Sequence, residues 1–186
     1  ADDGFYTPLR SIRQIRETSG EIEFSYPYSV EQRMRPEPIT LLKFALQQTF
    51  LTGTARGYSK KDVDKWNAGG KTGTSDDQRD SWFVGFAGDL LVLVWLGFDD
   101  NRPTVLTGRT GAFQVWKNFI DDINPVSTKK TKLQRIQYVW TDIDDGLLSG
   151  KSCKNSLLVP FIRGTEPIKV PNVRKKCFSK NPSNGE

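Results

Sequence analysis

Lys71, Thr72 and Thr74, spaced by Gly70 and Gly73 in the stretch NAGGKTGTSDDQRDSWFVGF (residues 67–86), put one cation and two hydroxyls on an unusually bare piece of backbone. The chain holds no histidine, which removes Ser-His-Asp and Cys-His nucleophile systems and the usual zinc sites. Any catalysis must draw on lysine, carboxylates, hydroxyls or backbone N–H groups. Two chemistries use a GKT-type segment. A phosphate-binding P-loop would need a glycine at position 65, where Lys65 stands, and would open a helix, whereas strand-like sequence follows. The other is a strand that binds an acylating substrate, with a peptide lying alongside it as an added neighbour. There Gly73, without a Cβ, admits the substrate backbone. Lys71 supplies positive potential, and the hydroxyls of Thr72 and Thr74 hold a terminal carboxylate. A strand N–H aimed at the substrate carbonyl stabilises the tetrahedral intermediate. A bare K-T-G triplet would equally fit an edge strand with a surface lysine, so the surroundings have to decide.

Those surroundings predict a mixed α+β domain, with an antiparallel sheet flanked by helices. Residues 5–27 alternate around Ser19-Gly20, which suggests a hairpin on the edge of a sheet. Ile39, Leu42, Leu46 and Phe50 keep helical spacing behind Pro36 and Pro38, and Gly53 or Gly57 ends the run. KTGTS, SWFVGFAG and LLVLVWLGF are three strands, the last two joined by Gly88-Asp89 in a type II′ turn. The third strand is apolar at nearly every position, so both its faces are expected to be covered. In TGAFQVWKNFI, residues Ala112, Val115, Trp116, Phe119 and Ile120, with Ile123 beyond, are expected to share a buried helix face.

The composition changes after Pro125. Residues 1–125 carry 15 basic and 17 acidic residues, and residues 126–186 carry 12 and 5, so the net charge of +5 comes from the last third. Residues 1–125 are expected to form the domain. Residues 126–186 are expected to be a basic, irregular extension, either partly disordered or a small hairpin with Asp145-Gly146 in its turn. Such a tail solubilises, or lies near an anionic polymer or membrane surface. Cys153 and Cys177 lie in it, and in an oxidising compartment they could pair. No stretch has the ~18 apolar residues of a membrane span, and no signal peptide opens the chain. The chain begins ADDGFYTPLRSI, as a mature product or an excised piece would.

The segment AGGKTGTSDDQRDSWFVGFAGDLLVLVWLGFDDNRPTVLTGRTGAFQVWKNFI resembles the end of the transpeptidase domain of class A (bifunctional) penicillin-binding proteins, the 1b type in particular. The resemblance rests on the KTGT strand, on Asp80, Trp82, Phe83 and Gly85, on Trp95 to Gly97, and on the Thr-Gly-x-Thr-Gly-Ala before the last helix. LLKFALQQTFLTGTARG and TPLRSIRQI are similar to the family's sequence upstream, so the resemblance covers residues 4–123. It implies a partial DD-peptidase/β-lactamase-like fold and a peptidoglycan synthase that cross-links stem peptides by serine acyl transfer and binds β-lactams. By that resemblance Lys71 and Thr74 have catalytic roles: Lys71 supports the electrostatics and the Thr74 N–H is an oxyanion donor. Thr72, Gly73 and Thr74 bind substrate. Trp82 would pack beneath the strand or simply fill the core. The expected partners are the peptidoglycan stem peptide, β-lactams and the remaining N-terminal part of the same enzyme. The parent would be anchored by a segment outside this chain, at the periplasmic face of the bacterial inner membrane. No cofactor, metal or nucleic acid is expected.

The family also needs S-x-x-K and then S-x-N ahead of KTG, and neither stands before Lys71. STKK (residues 127–130) and SKN (residues 179–181) have the spacings in the wrong order, within linker-like sequence that offers no rigid frame for a nucleophile. The piece alone is therefore expected to be inactive. A β-lactamase-related hydrolase and a non-catalytic scaffold module of the cell-wall machinery are the alternative readings.

Overall fold

The computed structural model describes residues 3–128 and 133–168. Its centre is a three-stranded antiparallel sheet of β5 (Gly69–Thr74), β6 (Ser81–Ala87) and β7 (Leu90–Leu96), in that order. The turn between β6 and β7 has Gly88 at φ +58, as the predicted hairpin requires. Lys71 faces Val84, Thr72 faces Phe83 and Gly73 faces Trp82 across the ladder.

Two helices close one side. Helix α1 (Pro36–Leu51) starts three residues earlier than the apolar spacing suggests, because Pro36 occupies its first position, where the missing N–H costs nothing. Helix α3 (Ala112–Ile123) buries Ala112, Phe113, Trp116 and Ile120. Val115, Phe119 and Ile123, expected on the same face, are exposed. Phe113 takes the inner position because it stacks on Phe50 at 5.8 Å and meets Phe83 at 5.1 Å. Phe50, Phe83, Phe113, Trp116, Tyr58 and Trp66 form one aromatic core between the helices and the sheet.

The other face of the sheet buries Phe86 and is otherwise largely exposed. Strand β7 alternates, with Leu91, Leu93 and Trp95 exposed, which corrects the expectation that both its faces are covered. Only the face carrying Phe83, Val92 and Val94 meets the core. Trp82 is likewise no core residue: it is 39% exposed and leans on Trp95 at 6.0 Å.

A short helix, α2 (Lys60–Trp66), escaped the apolar-spacing argument. Its signal is a capping box, in which Ser59 Oγ accepts from Asp62 N at 3.2 Å and Asp62 Oδ2 accepts from Ser59 N at 3.2 Å. The Ser59 hydroxyl also donates to Asp62 Oδ2 at 2.6 Å, and this bond is the main reason the carboxyl sits below the usual aspartate range. Ser59→Ala should cost about 1 kcal/mol of stability. A depressed folded pKa stabilises above the unfolded value of about 3.9 and stops doing so as pH falls through the lower folded value. The gap between the parent and Ser59→Ala in thermal melts should therefore narrow below about pH 4.

The N-terminal hairpin is present, as β2 (Gln14–Arg16) against β3 (Ile22–Ser25), with Gly20 at φ +92 in its turn. It does not extend the central sheet; β1 (Phe5–Tyr6) and β4 (Glu31–Gln32) make another separate pair. The C-terminal hairpin is wider than expected. Strand β8 (Ile136–Asp142) pairs with β9 (Ser156–Ile162), and the stretch between Gly146 and β9 adds an isolated bridge, Thr141 to Leu148. Cys177, Ser179–Asn181 and the chain end expected to be disordered lie outside the described residues, as do Lys129 and Lys130. No described helix is long and apolar enough to cross a membrane.

Candidate functional site

Strand β5 is an edge strand whose two halves differ. Gly69 and Gly70 are buried beneath the end of α1, where the Thr49 hydroxyl donates to Gly70 O at 2.6 Å. Neither tolerates a Cβ: one built on Gly70 would lie 2.6 Å from the Phe83 ring and 2.7 Å from Val84 O. From Lys71 to Thr74 the strand emerges, with Lys71 and Thr74 exposed and Thr72 and Gly73 half-buried. A groove of about 260 Å³ runs beside Gly70 and Lys71, floored by Val84, Phe86 and Leu91 and walled by Leu42 and Leu46 of α1.

Backbone alternation tells which groups face outward. In an antiparallel ladder successive residues aim their N–H and C=O alternately at the partner strand and away from it. Gly70 O takes the Thr49 hydroxyl and Thr72 O takes the Lys71 ammonium at 2.8 Å, so the even-numbered residues present their backbone to the free edge. The N–H of Thr74 therefore also points away from the sheet. The four residues quoted for the site thus form one continuous segment, with a cation at one end and an outward N–H and hydroxyl at the other. A P-loop is incompatible with this arrangement, because Lys71 sits in mid-strand and the next element is a 3₁₀ turn, Asp76–Gln78.

Other residues, which residue type and local spacing do not mark, brace the segment. The Thr54 hydroxyl lies 2.7 Å from the Thr72 hydroxyl. Gly108 N–H donates to Thr74 Oγ1 at 2.8 Å. The Thr107–Gly111 turn that carries Gly108 is itself pinned by Ser81, a fully buried hydroxyl at the start of β6, which donates to Thr107 O at 2.8 Å and accepts from Ala112 N at 2.9 Å. Ser81 thus caps α3 from another strand, in place of Gly111, which has no side chain to do so. These partners come from 18 and 34 positions away along the chain, where local patterning carries no signal. Among the described residues no cluster of histidine, cysteine or carboxylates could hold a metal.

No family model matches the chain. It is similar to penicillin-binding protein 1B of Haemophilus influenzae, 39% identical over 67% of this chain and 16% of that protein. It is also similar to penicillin-binding protein 1B of Vibrio cholerae, 35% identical over 64% of this chain and 15% of the relative. Its fold matches a crystal structure of penicillin-binding protein 1A from Haemophilus influenzae with a TM-score of 0.67, at 22% identity, over 90% of this chain and 31% of that one. The chain therefore spans about a sixth of the length of these curated relatives.

Proposed function

The chain is part of the transpeptidase region of the class A penicillin-binding proteins, and we propose that it supplies the substrate-binding strand of a peptidoglycan synthase that cross-links stem peptides at the periplasmic face of the inner membrane. The observation that carries this reading is the half-open edge of β5. Gly69 and Gly70 are anchored under α1, while from Lys71 to Thr74 the strand emerges, with the outward backbone of Thr72 and Thr74 on its free edge. A peptide or β-lactam laid along that edge would pair with the outward backbone of Thr72 and Thr74 as an added strand. Its carbonyl oxygen would sit at the Thr74 N–H and its carboxylate at the threonine hydroxyls. The Lys71 ammonium, which now satisfies Thr72 O, would turn toward the reacting centre. The serine that forms the acyl intermediate would come from a part of the enzyme outside this sequence. In this reading residues 1–125 belong to the transpeptidase domain, and residues 126–186 are an extension that follows it.

Fluorescent penicillin followed by denaturing electrophoresis tests the assignment. The 186-residue chain alone should stay unlabelled, and the longer enzyme that includes the missing N-terminal part should label. A covalent label on the isolated chain would contradict the proposal.

A further inference from the structure

Two arginines meet beside the Thr72 end of the strand. The loop after α1 touches the Thr72 hydroxyl through Thr54, at 2.7 Å, and carries Arg56 just beyond it. The Thr107–Gly111 turn comes in next to it at Gly108, where a Cβ would stand 2.9 Å from Thr72 Cβ and 2.6 Å from Gly73 O, and it carries Arg109. The Arg109 guanidinium spans the gap between the two loops and donates to Arg56 O at 3.4 Å. Both backbones are held: Gln114 Nε2 donates to Arg109 O at 2.9 Å, and Arg56 N–H donates to Gly53 O at 3.2 Å. Both arginines are exposed, and among the described residues neither forms an ion pair. Residues 52–61 and 104–114 contain no aspartate or glutamate. The first carboxylates after the strand, Asp76 and Asp77, follow Thr74 at its other end, and Asp77 pairs with Arg79. The Lys71 ammonium also faces the Thr72 hydroxyl, at 3.4 Å, so the surroundings of Thr72 are basic throughout.

Resting on the functional reading above, we propose that Arg56 and Arg109 select the amine that takes over the acyl group, by receiving an acidic group it carries in addition to the carboxylate next to its nitrogen. The direction of the bound peptide supports this. In that reading its carbonyl oxygen sits at the Thr74 N–H and its carboxylate at the threonine hydroxyls, so the donor chain ends at Thr72 and has no atoms left to meet the arginines. By microscopic reversibility the incoming amine attacks along the path by which the leaving amine departed, which runs past Thr72. Its nitrogen bonds to the acyl carbon, the ester bond to the serine breaks, and the proton the amine loses returns to that serine oxygen. The carboxylate beside its nitrogen takes the threonine hydroxyls that the departed residue vacated, and a further acidic group falls to the arginines. A guanidinium offers five N–H donors in a planar fork that matches a carboxylate, and on Arg109 the bond to Arg56 O occupies one of them. The substrate class assigned is an acidic peptide amine, set against a neutral one.

The test uses the intact enzyme, a thioester analogue of the acyl donor, and two amines that differ only in side-chain charge, D-glutamate and D-glutamine. The acyl-enzyme divides between transfer to the amine and hydrolysis, and product analysis gives the ratio. The unaltered enzyme should favour transfer to D-glutamate over D-glutamine by about three- to tenfold, the scale of exposed ion pairs. Raising sodium chloride to about 0.5 M should shrink that preference, which a purely structural role of the arginines would leave in place. Arg56→Gln combined with Arg109→Gln should bring the preference below about 1.5-fold. Acylation of the same double variant by benzylpenicillin, a step that involves no amine, should change less than about twofold, which also shows that the variant is folded. The assignment is overturned if the double variant keeps the preference, or if the unaltered enzyme forms the acyl-enzyme and shows none. It is overturned equally if the double variant loses acylation by benzylpenicillin as much as it loses transfer, which would return the arginines to the carboxylate of the donor. An unaltered enzyme that benzylpenicillin does not acylate would instead overturn the functional reading itself.

Discussion

Replacing Lys71 with alanine in the intact enzyme is expected to slow β-lactam acylation by roughly 100- to 1,000-fold, the scale of losing one preorganised charge or donor at a reacting centre. The same change should move the melting temperature by less than about 2 °C, as for a typical surface substitution. The reason for the contrast lies in its surroundings. Lys71 is exposed, and among the described residues its ammonium hydrogen-bonds only to its neighbour, at Thr72 O and Thr72 Oγ1. It forms no ion pair among the described residues. Folding gains little from it. Stopped-flow acylation and thermal melts of the same preparation check both halves. A variant that acylates normally, or one that unfolds, would remove Lys71 from the site.

The largest effect on stability should come from Trp116→Ala. Trp116 is fully buried and packs against Phe83 at 5.0 Å and Phe50 at 5.6 Å, with Gly85 beneath its ring. Truncating it removes the centre of the aromatic core and leaves a large cavity, at a cost of about 3–5 kcal/mol. That corresponds to a fall of roughly 6–20 °C in melting temperature for a chain of this size. Trp116→Phe should cost much less than the lost volume suggests. Among the described residues the buried Trp116 indole N–H has no hydrogen-bond partner, and phenylalanine removes that unsatisfied donor while keeping a six-membered ring. Urea midpoints of the two variants decide it. A Trp116→Phe variant as unstable as Trp116→Ala would mean that the indole N–H carries no penalty.

The three strands, the two long helices and the N-terminal hairpin were legible because each follows a local rule. Glycine and proline mark the ends, and apolar spacing marks the interior of α1. The α+β architecture followed from them. What misled was the assumption that an apolar strand must be covered on both faces within the same chain. Leu91, Leu93 and Trp95 satisfy the sequence pattern of a doubly covered strand, yet they face solvent here. If most of the enzyme lies outside these residues, as the span of the relatives suggests, a strand can be written for neighbours the sequence does not include. The α3 error has a different source. Phe113 and Val115 stand two residues apart, on nearly opposite sides of α3, and the placement of Phe50 on another helix selects the Phe113 side. The site shows the same division. Lys71 to Thr74 could be picked out from residue types alone, whereas Thr54, Gly108 and Ser81 enter through contacts that no local spacing encodes.

The most direct measurement is a crystal structure of the intact enzyme acylated by a penicillin. The account predicts the ligand lying along β5 as an added strand, with its carbonyl oxygen within hydrogen-bond reach of the Thr74 N–H, its carboxylate at the Thr72 and Thr74 hydroxyls, and its covalent bond to a serine outside these 186 residues. A ligand bound elsewhere, with the Lys71–Thr74 edge sealed under other protein, would contradict it.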